Sequence, residues 1–379
     1  MSAGAGAGAG AGVKICGVVK ANAYGHDATI VADTLCNFTG ASTEAPAVDA
    51  LAVATIQEAL ALPSVPVPIM IFQPVENALM EGRKLVEEAI GRGWILTLTS
   101  KAAADDVARV ATVWNTRASV QVLIDTGMAR AGVGISRARE LLDKALHWPS
   151  LRVVGVLTHL VSSECPDSPI TAEQLKDFRS LTDDLAGKIP RHAANSGAVF
   201  FSPDSHFDMV RPGISLYGVD PTCKPSMDRK LRLVARWIAP LVGIRDIPAG
   251  TGVGYNHTWK AERDTRLGLV PIGYADGYPR ILSNWGTMIV GGGGGNRTAP
   301  VIGNISMDLA TIDLRNCPDA KIGDPVTVMD NDPLSPASVY RMAELAHTIP
   351  YEILTRIGNR VRRVAVDPTE AAPAPAPAI

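Results

Sequence analysis

A closed (β/α)8 barrel followed by a mainly-β domain is the fold class this sequence predicts. Two observations carry the expectation. Short apolar, β-branched runs alternate with helical patterns from Ile15 onward, and after about Trp237 the rhythm changes to strands without intervening helices. The first eight runs are ICGVVKAN from Ile15, ALAVATI from Ala50, VPIMIF from Val67, WILTLT from Trp94, SVQVLIDTG from Ser119, VVGVLTHL from Val153, HAANSG from His192 and FDMVRPG from Phe207. Between them, VENALMEGRKLVEEAIGR from Val75, SRARELLDKAL from Ser136 and TAEQLKDFRSLTDDLAG from Thr171 place apolar residues at helical spacing. The last of these opens with Thr171 and Gln174 as a capping box. A doubly wound open sheet is the alternative, but neither GxGxxG nor GxxxxGK follows any strand, so its usual nucleotide-binding signatures are missing.

The later strands are WIAPLVGIRDI, RLGLVPIGYADG, TMIVGG, APVIGNISMDLATIDL, PVTVMD and RVRRVAVD, with one helix pattern, SPASVYRMAELAHTI, before the close. The glycine run from Gly291 to Gly295 reads as a hairpin tip, because no strand-to-helix context would make it a phosphate cradle. The expected organisation is a Gly/Ala lead over 1–12, a barrel over 13–236, a β domain over 237–368 and a Pro/Ala-rich tail over 369–379.

Bulk composition narrows the function classes. A chain of 379 residues exceeds the size at which one core usually stops growing, which favours two domains. The net charge of −2, with no basic stripe, argues against nucleic acid as a partner. Five scattered cysteines without CxxC spacing fit a reducing compartment. No apolar run reaches membrane-spanning length and the opening residues lack the blocks of a secretory signal, so a cytoplasmic protein is expected.

In a (β/α)8 barrel the active site forms at the carboxyl ends of the strands. Strand one ends in Lys20, strand five runs into Arg130, strand six ends in His159, strand seven in Asn195 and Ser196, and strand eight in Arg211. Asp125 is the one acidic residue near a strand end. Metal chemistry needs His and carboxylate ligands, and the seven histidines show no HxH or HExxH spacing, so no metal site is expected. A set rich in cations instead suits an anionic ligand carrying phosphate and phenolate groups, with a lysine able to form an imine with an aldehyde.

The motif VVKANAYGHD around Lys20 resembles the cofactor-lysine motif of alanine racemases. In the same order, DTGMARAG from Asp125, LTHL around His159, AANSGA around Ser196, VRPGISLYG around Arg211, GVGYNHTW around Tyr255, PIGYADGYPR around Tyr274, GNISMD around Met307 and YEI at Tyr351 resemble that family too. The resemblance runs from about Ile15 to Val366. It implies an isomerase using pyridoxal 5'-phosphate, with an N-terminal barrel, a C-terminal β domain, and a head-to-tail homodimer whose sites are shared between copies.

Carried over residue by residue, the resemblance makes Lys20 and Tyr255 the two bases, Tyr255 acting in the partner's site. His159, with Arg211 behind it, would supply the positive charge that activates the phenol. Arg211 would face the ring nitrogen, which it can only donate to. Tyr24, Ser196, Tyr351 and the amides near Gly213 and Ile214 would hold the phosphate. Arg130 would meet the ring hydroxyl and the substrate carboxylate, and Tyr274 and Met307 would line the substrate entrance.

Three features depart from the pattern: the Gly/Ala repeat stands almost directly before the lysine motif where the family has a helical lead-in, GVGYNH replaces the more usual Ser-Tyr-Gly around the tyrosine, and Leu123 replaces a lysine. The family commonly carries a lysine two residues before Asp125, where this chain has Leu123, and an apolar side chain cannot brace Arg130. A serine or broader-range racemase, a decarboxylase of the same fold and a non-catalytic cofactor carrier are the alternatives. Arg211 argues against the decarboxylase and Tyr255 against the carrier.

Overall fold

The computed structural model describes residues 12–37, 46–292 and 295–366. Residues 1–11 of the expected Gly/Ala lead over 1–12, and the tail over 369–379, lie outside the described residues. The chain divides into two compact units, one holding the described residues up to Ala23 with Asp27–Leu216, the other Tyr24–His26 with the chain from Tyr217 onward.

The first unit is a nearly closed parallel barrel of eight strands. They are β1 (Lys14–Val18), β2 (Ala50–Val53), β3 (Ile69–Pro74), β4 (Ile95–Leu98), β5 (Ala118–Asp125), β6 (Leu151–Leu157), β7 (Arg191–His192) and β8 (Met209–Val210). Their order is β7-β6-β5-β4-β3-β2-β1-β8, every neighbouring pair parallel. Single backbone bonds join the two ends of this row: Asp208 N donates to Arg191 O at 3.0 Å and Arg211 N to Ala194 O at 2.8 Å. Each of the eight predicted runs overlaps one strand, and the (β/α)8 expectation holds.

The strands are apolar because both of their faces are covered. Leu51, Leu96, Leu98, Ile124 and Leu151 are fully buried, as are Leu141 and Leu142 on the helix Ile135–His147. Burying each such side chain contributes about 1.5–3 kcal/mol.

Two helix expectations need correction. The pattern from Val75 is two helices, Val75–Glu81 and Arg83–Gly91, broken at Gly82, whose φ of 146° no continuous helix accepts. The capping box at Thr171 and Gln174 does not form. That helix starts earlier, at Pro169, with Ser168 as N-cap, so Thr171 lies inside it and Gln174 is buried and spent elsewhere.

The second unit is built on antiparallel sheets. Its strands are β9 (Trp237–Pro240), β10 (Gly243–Ile247), β11 (Gly252–Val253), β12 (Trp259–Lys260), β13 (Thr265–Val270), β14 (Thr287–Val290), β15 (Arg297–Pro300), β16 (Ala310–Asp313) and β17 (Pro325–Met329). They form a four-stranded sheet β9-β17-β14-β15, a three-stranded sheet β10-β13-β16 and the pair β11-β12. The glycine run links β14 to β15 in an antiparallel pair, with residues 293 and 294 outside the described residues. The helix expected near the close is Val339–Leu345, and an unpredicted second helix, Pro350–Thr355, follows after His347 turns left-handed (φ 52°) and Ile349, preceding a proline, is extended.

RVRRVAVD alternates like a strand but joins no sheet over its described residues, 360–366. Arg363 explains the difference: its guanidinium donates to the carbonyls of Gly25, Ile357, Gly358 and Val361, bonds that tie down the turn before it without a ladder. Gly25 is at the centre of this knot. It sits at φ +82°, and a Cβ there would lie 2.0 Å from Leu354 O. Gly25→Ala is therefore expected to destabilise the full-length protein by roughly 2–5 kcal/mol, read from chemical denaturation. A loss below about 0.5 kcal/mol, the level of an ordinary surface change, would contradict this packing.

Candidate active site

Lys20 follows β1 at the start of an unusual stretch of backbone. Ala21, Asn22, Ala23 and Tyr24 all adopt left-handed conformations, with φ of 53°, 52°, 54° and 52°. Each such L-residue costs about 1–2 kcal/mol, so four in succession must be held by their surroundings. Ala23 N donates to Val19 O at 2.8 Å, Asp27 N to Asn22 O at 3.1 Å and Ala28 N to Asn22 Oδ1 at 2.8 Å. Ala21 N donates to Glu58 Oε1 at 2.8 Å. Burial lowers the Lys20 pKa from its ordinary value, the Arg130 charge lowers it further, and Glu58 opposes both.

Arg211 is buried and fully engaged on one side. Nη1 lies 3.0 Å from His192 Nδ1, and Nη2 donates to Thr158 O at 2.8 Å and Ala193 O at 3.1 Å. A guanidinium can only donate, so His192 Nδ1 accepts and the histidine is neutral with its proton on Nε2. Burial first, then the Arg211 charge, pushes the His192 pKa well below its usual range. Nε2 is buried without a partner, and a Cβ on Gly155 would lie 3.0 Å from it. Burial also draws Arg211 down to about 10, which leaves it charged at neutral pH.

His159 shares this environment. Burial and the charges of Arg211, Arg130 and Lys20 lower its pKa to about 3. It is therefore a neutral ring, not the cation expected from the sequence, and the positive charge of this set resides on the arginines. Gln174 fixes the loop that carries it, accepting from Val161 N at 2.9 Å and donating to His159 O at 3.0 Å. This is where the misread capping residue is used.

Ser196 opens the helix Ser196–Phe201, with Asn195 as N-cap. Its Oγ accepts from Gly213 N at 2.9 Å and Ser215 N at 3.4 Å, so its own proton remains free to donate. Ile214 begins the short 3-10 turn that follows Gly213. Ser215 Oγ is buried without a partner. Two hydroxyls with protons left to donate suit an anion.

Asp125, the one acid at a strand end, is structural. Its Oδ1 accepts from Gly127 N at 2.9 Å and Ala129 N at 3.1 Å, shaping the loop that bears Arg130. Arg130 is exposed and makes no hydrogen bond or ion pair among the described residues, in keeping with the apolar Leu123 in β5.

The remaining predicted residues belong to the second unit, where they form two groups. Tyr24, buried with its pKa pushed up to about 12, stands 6.1 Å in ring centroid from Tyr351 and 5.0 Å from Tyr217. Tyr255, Tyr274 and Met307 lie on loops laced by backbone bonds: Asn304 Nδ2 donates to Tyr255 O at 2.8 Å, Tyr274 N to Ser306 O at 3.2 Å and Ala275 N to Met307 O at 3.0 Å. All three are exposed, Tyr255 by 68%, so an incoming surface can reach them.

Sequence reading missed Glu58, His192 and Ser215. A signal for the first was present, since Thr55 to Glu58 spells a capping box. His192 could not be found, because only the folded barrel brings its ring to Arg211.

Known proteins share this architecture. The family description "Alanine racemase, N-terminal domain" matches residues 5–221, and "Alanine racemase, C-terminal domain" matches residues 234–365. The alanine racemase of Chlorobaculum tepidum is 35% identical over 360 residues, covering 93% of this chain and 89% of its own. That of Sorangium cellulosum is 34% identical over 367 residues, covering 94% and 92%. Among solved structures, the alanine racemase of Streptomyces coelicolor A3(2) aligns with a TM-score of 0.80 at 35% identity, covering 93% of this chain and 91% of its own. The alanine racemase of Bartonella henselae, with covalently bound pyridoxal phosphate, aligns at 0.79 and 31%, covering 94% and 93%. By sequence over both units and by fold, the chain belongs to the alanine racemase family.

Proposed function

We propose that this chain interconverts L- and D-alanine with pyridoxal 5'-phosphate, Lys20 and the partner copy's Tyr255 carrying protons on opposite faces of the substrate. The observation that supports it most is the bonding of Arg211, whose acceptors are a neutral histidine and two backbone carbonyls. Such an arginine is a permanent donor, and Nε is not among the atoms so used.

The residues fit the cofactor chemically. Pyridoxal phosphate, when bound, supplies an aldehyde that condenses with amines and a ring that draws electrons from the α-carbon. Lys20 would hold it, and an amine with a lowered pKa is more often neutral near pH 7, the form that both attack on the aldehyde and proton removal require. Arg211 would donate to the ring nitrogen and surrender no proton, which weakens the electron draw and favours return of the proton over transamination. Ser196, Gly213 and Ile214 would bind the phosphate, and the unspent hydroxyls of Ser196 and Ser215 support that assignment. His159 would orient as a neutral partner, and Arg130 would take the substrate carboxylate.

Tyr255, Tyr274 and Met307 would complete the site of a second copy, so the active form is a homodimer. Their exposure supports this. No helix among the described residues is long and apolar enough to cross a membrane, and three of the five free thiols are buried. We place the enzyme in the cytoplasm, supplying D-alanine for peptidoglycan precursors. A second reading, a racemase that also accepts serine, is favoured by the unbraced Arg130. Equal kcat/KM for serine and alanine would select it.

Lys20→Ala should remove the yellow absorbance of the loaded protein. Tyr255→Phe should keep the colour and lower racemisation by about 100-fold or more, within the range removed with a positioned acid or base. Normal turnover by Tyr255→Phe would eliminate the second base. In heavy water, L-alanine should acquire α-deuterium in both enantiomers. Carbon dioxide release would point to a decarboxylase, and colour without exchange to a carrier.

His159 supplies a pH test. Its folded pKa of about 3 lies below the ordinary 6.5, so between those values the unfolded chain binds a proton that the folded chain does not. Acidification from 6.5 toward 3 should thus lower stability, and His192 acts in the same direction. Nitrogen NMR of the His159 ring should show no protonation from pH 8 to pH 5. A midpoint near 6.5 would refute the buried neutral ring.

A further inference from the structure

We propose that Glu58 is a positioning residue for Lys20, its carboxylate clamping the left-handed turn on which the lysine amine is carried. The inference rests on Lys20 being the amine that holds the cofactor, and it assigns a second carboxylate-dependent element to that site.

Glu58 is the third residue of the helix Ile56–Ala61, which follows β2. Thr55 caps that helix, its Oγ1 accepting from Glu58 N at 3.1 Å. In an ordinary capping box the acid at this position returns to the backbone N–H of the capping residue. Here its two oxygens go elsewhere. Oε2 accepts from Ala54 N, one residue earlier, at 2.7 Å. Oε1 reaches across to β1's exit and accepts from Ala21 N at 2.8 Å. One carboxylate thus ties together the exits of two neighbouring barrel strands, through charge-assisted bonds that are about twice as strong as neutral ones.

The residue it grips is the one directly after Lys20. Ala21 begins the left-handed run, and neither alanine nor tyrosine has a side chain that favours that conformation. Without an acceptor for its amide, the turn would relax toward ordinary backbone and displace the lysine. The carboxylate also acts by charge. The charges that act on Lys20 are Arg130 and Glu58, while Lys20, Arg130 and Arg211 act together on His159. Glu58 is the anion of this set. Its charge opposes burial and Arg130 and keeps the amine from losing its proton too early.

The test uses the full-length protein carrying Glu58→Gln, and Glu58→Ala beside it. The amide keeps the size and one acceptor but removes the charge and turns an NH2 group toward an N–H donor, so it probes the clamp even if Glu58→Ala fails to fold. Hydrogen exchange of the peptide over 19–24 should accelerate at least tenfold in Glu58→Gln. Acetic anhydride labelling of Lys20 in cofactor-free protein should begin at lower pH, because loss of a nearby negative charge favours the neutral amine. In the loaded enzyme kcat should fall about 10- to 100-fold with KM changed less than about threefold, the scale of a small misplacement of a reacting group. Glu81→Gln, which alters a surface contact of the neighbouring Gln57, should change none of these.

Wild-type exchange over 19–24, or an unshifted Lys20 labelling profile, in Glu58→Gln would overturn the proposal. Failure of the Lys20 assignment is separable: there the Lys20→Ala protein would keep its colour, while the exchange and labelling would still report on the clamp.

Discussion

The guanidinium of Arg211 is buried with no carboxylate among its bonded partners. Removing such a charge from water costs several kcal/mol unless it is richly hydrogen-bonded. The barrel offsets this with three neutral acceptors, His192 Nδ1, Thr158 O and Ala193 O. Much else follows from that unneutralised charge. It contributes to keeping His192 and His159 neutral, and with Arg130 it makes the barrel ends a place that receives anions. An acid bonded to Arg211 would have cancelled the field. The chain therefore trades stability for a buried donor that keeps its charge at neutral pH.

Strain is the second constraint. Four L-residues in left-handed geometry would cost about 4–8 kcal/mol together if nothing held them, comparable with the net stability of a whole domain. The turn persists because Val19, Asn22 and Glu58 accept its amides and those that follow it. Rigid strands can hold a reactive lysine to within a fraction of an ångström, whereas a relaxed loop cannot. The strain thus lies directly after Lys20, the residue proposed to carry the reactive amine.

Most of the architecture was legible in the sequence, for a simple reason: strands buried on both faces leave long apolar runs, and the change to antiparallel sheets removes the helical periods. The failures are local and physical. RVRRVAVD alternates correctly, but Arg363 draws the backbone into a knot around Gly25. Thr171 and Gln174 have capping spacing, but the helix begins before them and Gln174 is more use bonded to His159 O. At the site, residues at strand ends could be listed from position alone. The charge state of His159 could not, since it depends on burial and on arginines distant in sequence. Glu58 was spelled out in a recognisable motif, yet the motif predicts a bond to its own helix and says nothing of the strand beside it.

The division of the site residues between two units bears on how the enzyme must assemble. Lys20, His159 and Arg211 belong to a barrel that positions them through interior bonds. Tyr255 belongs to the other unit, on an exposed loop whose backbone is held by Asn304 and whose neighbour Gly254 sits at φ +69°. As proposed above, this phenol would serve the barrel of a second copy. Exposed Ile281, Trp285 and Leu309 in the same unit add apolar area that association would bury. On this reading the tyrosine would enter a site only when two copies associate.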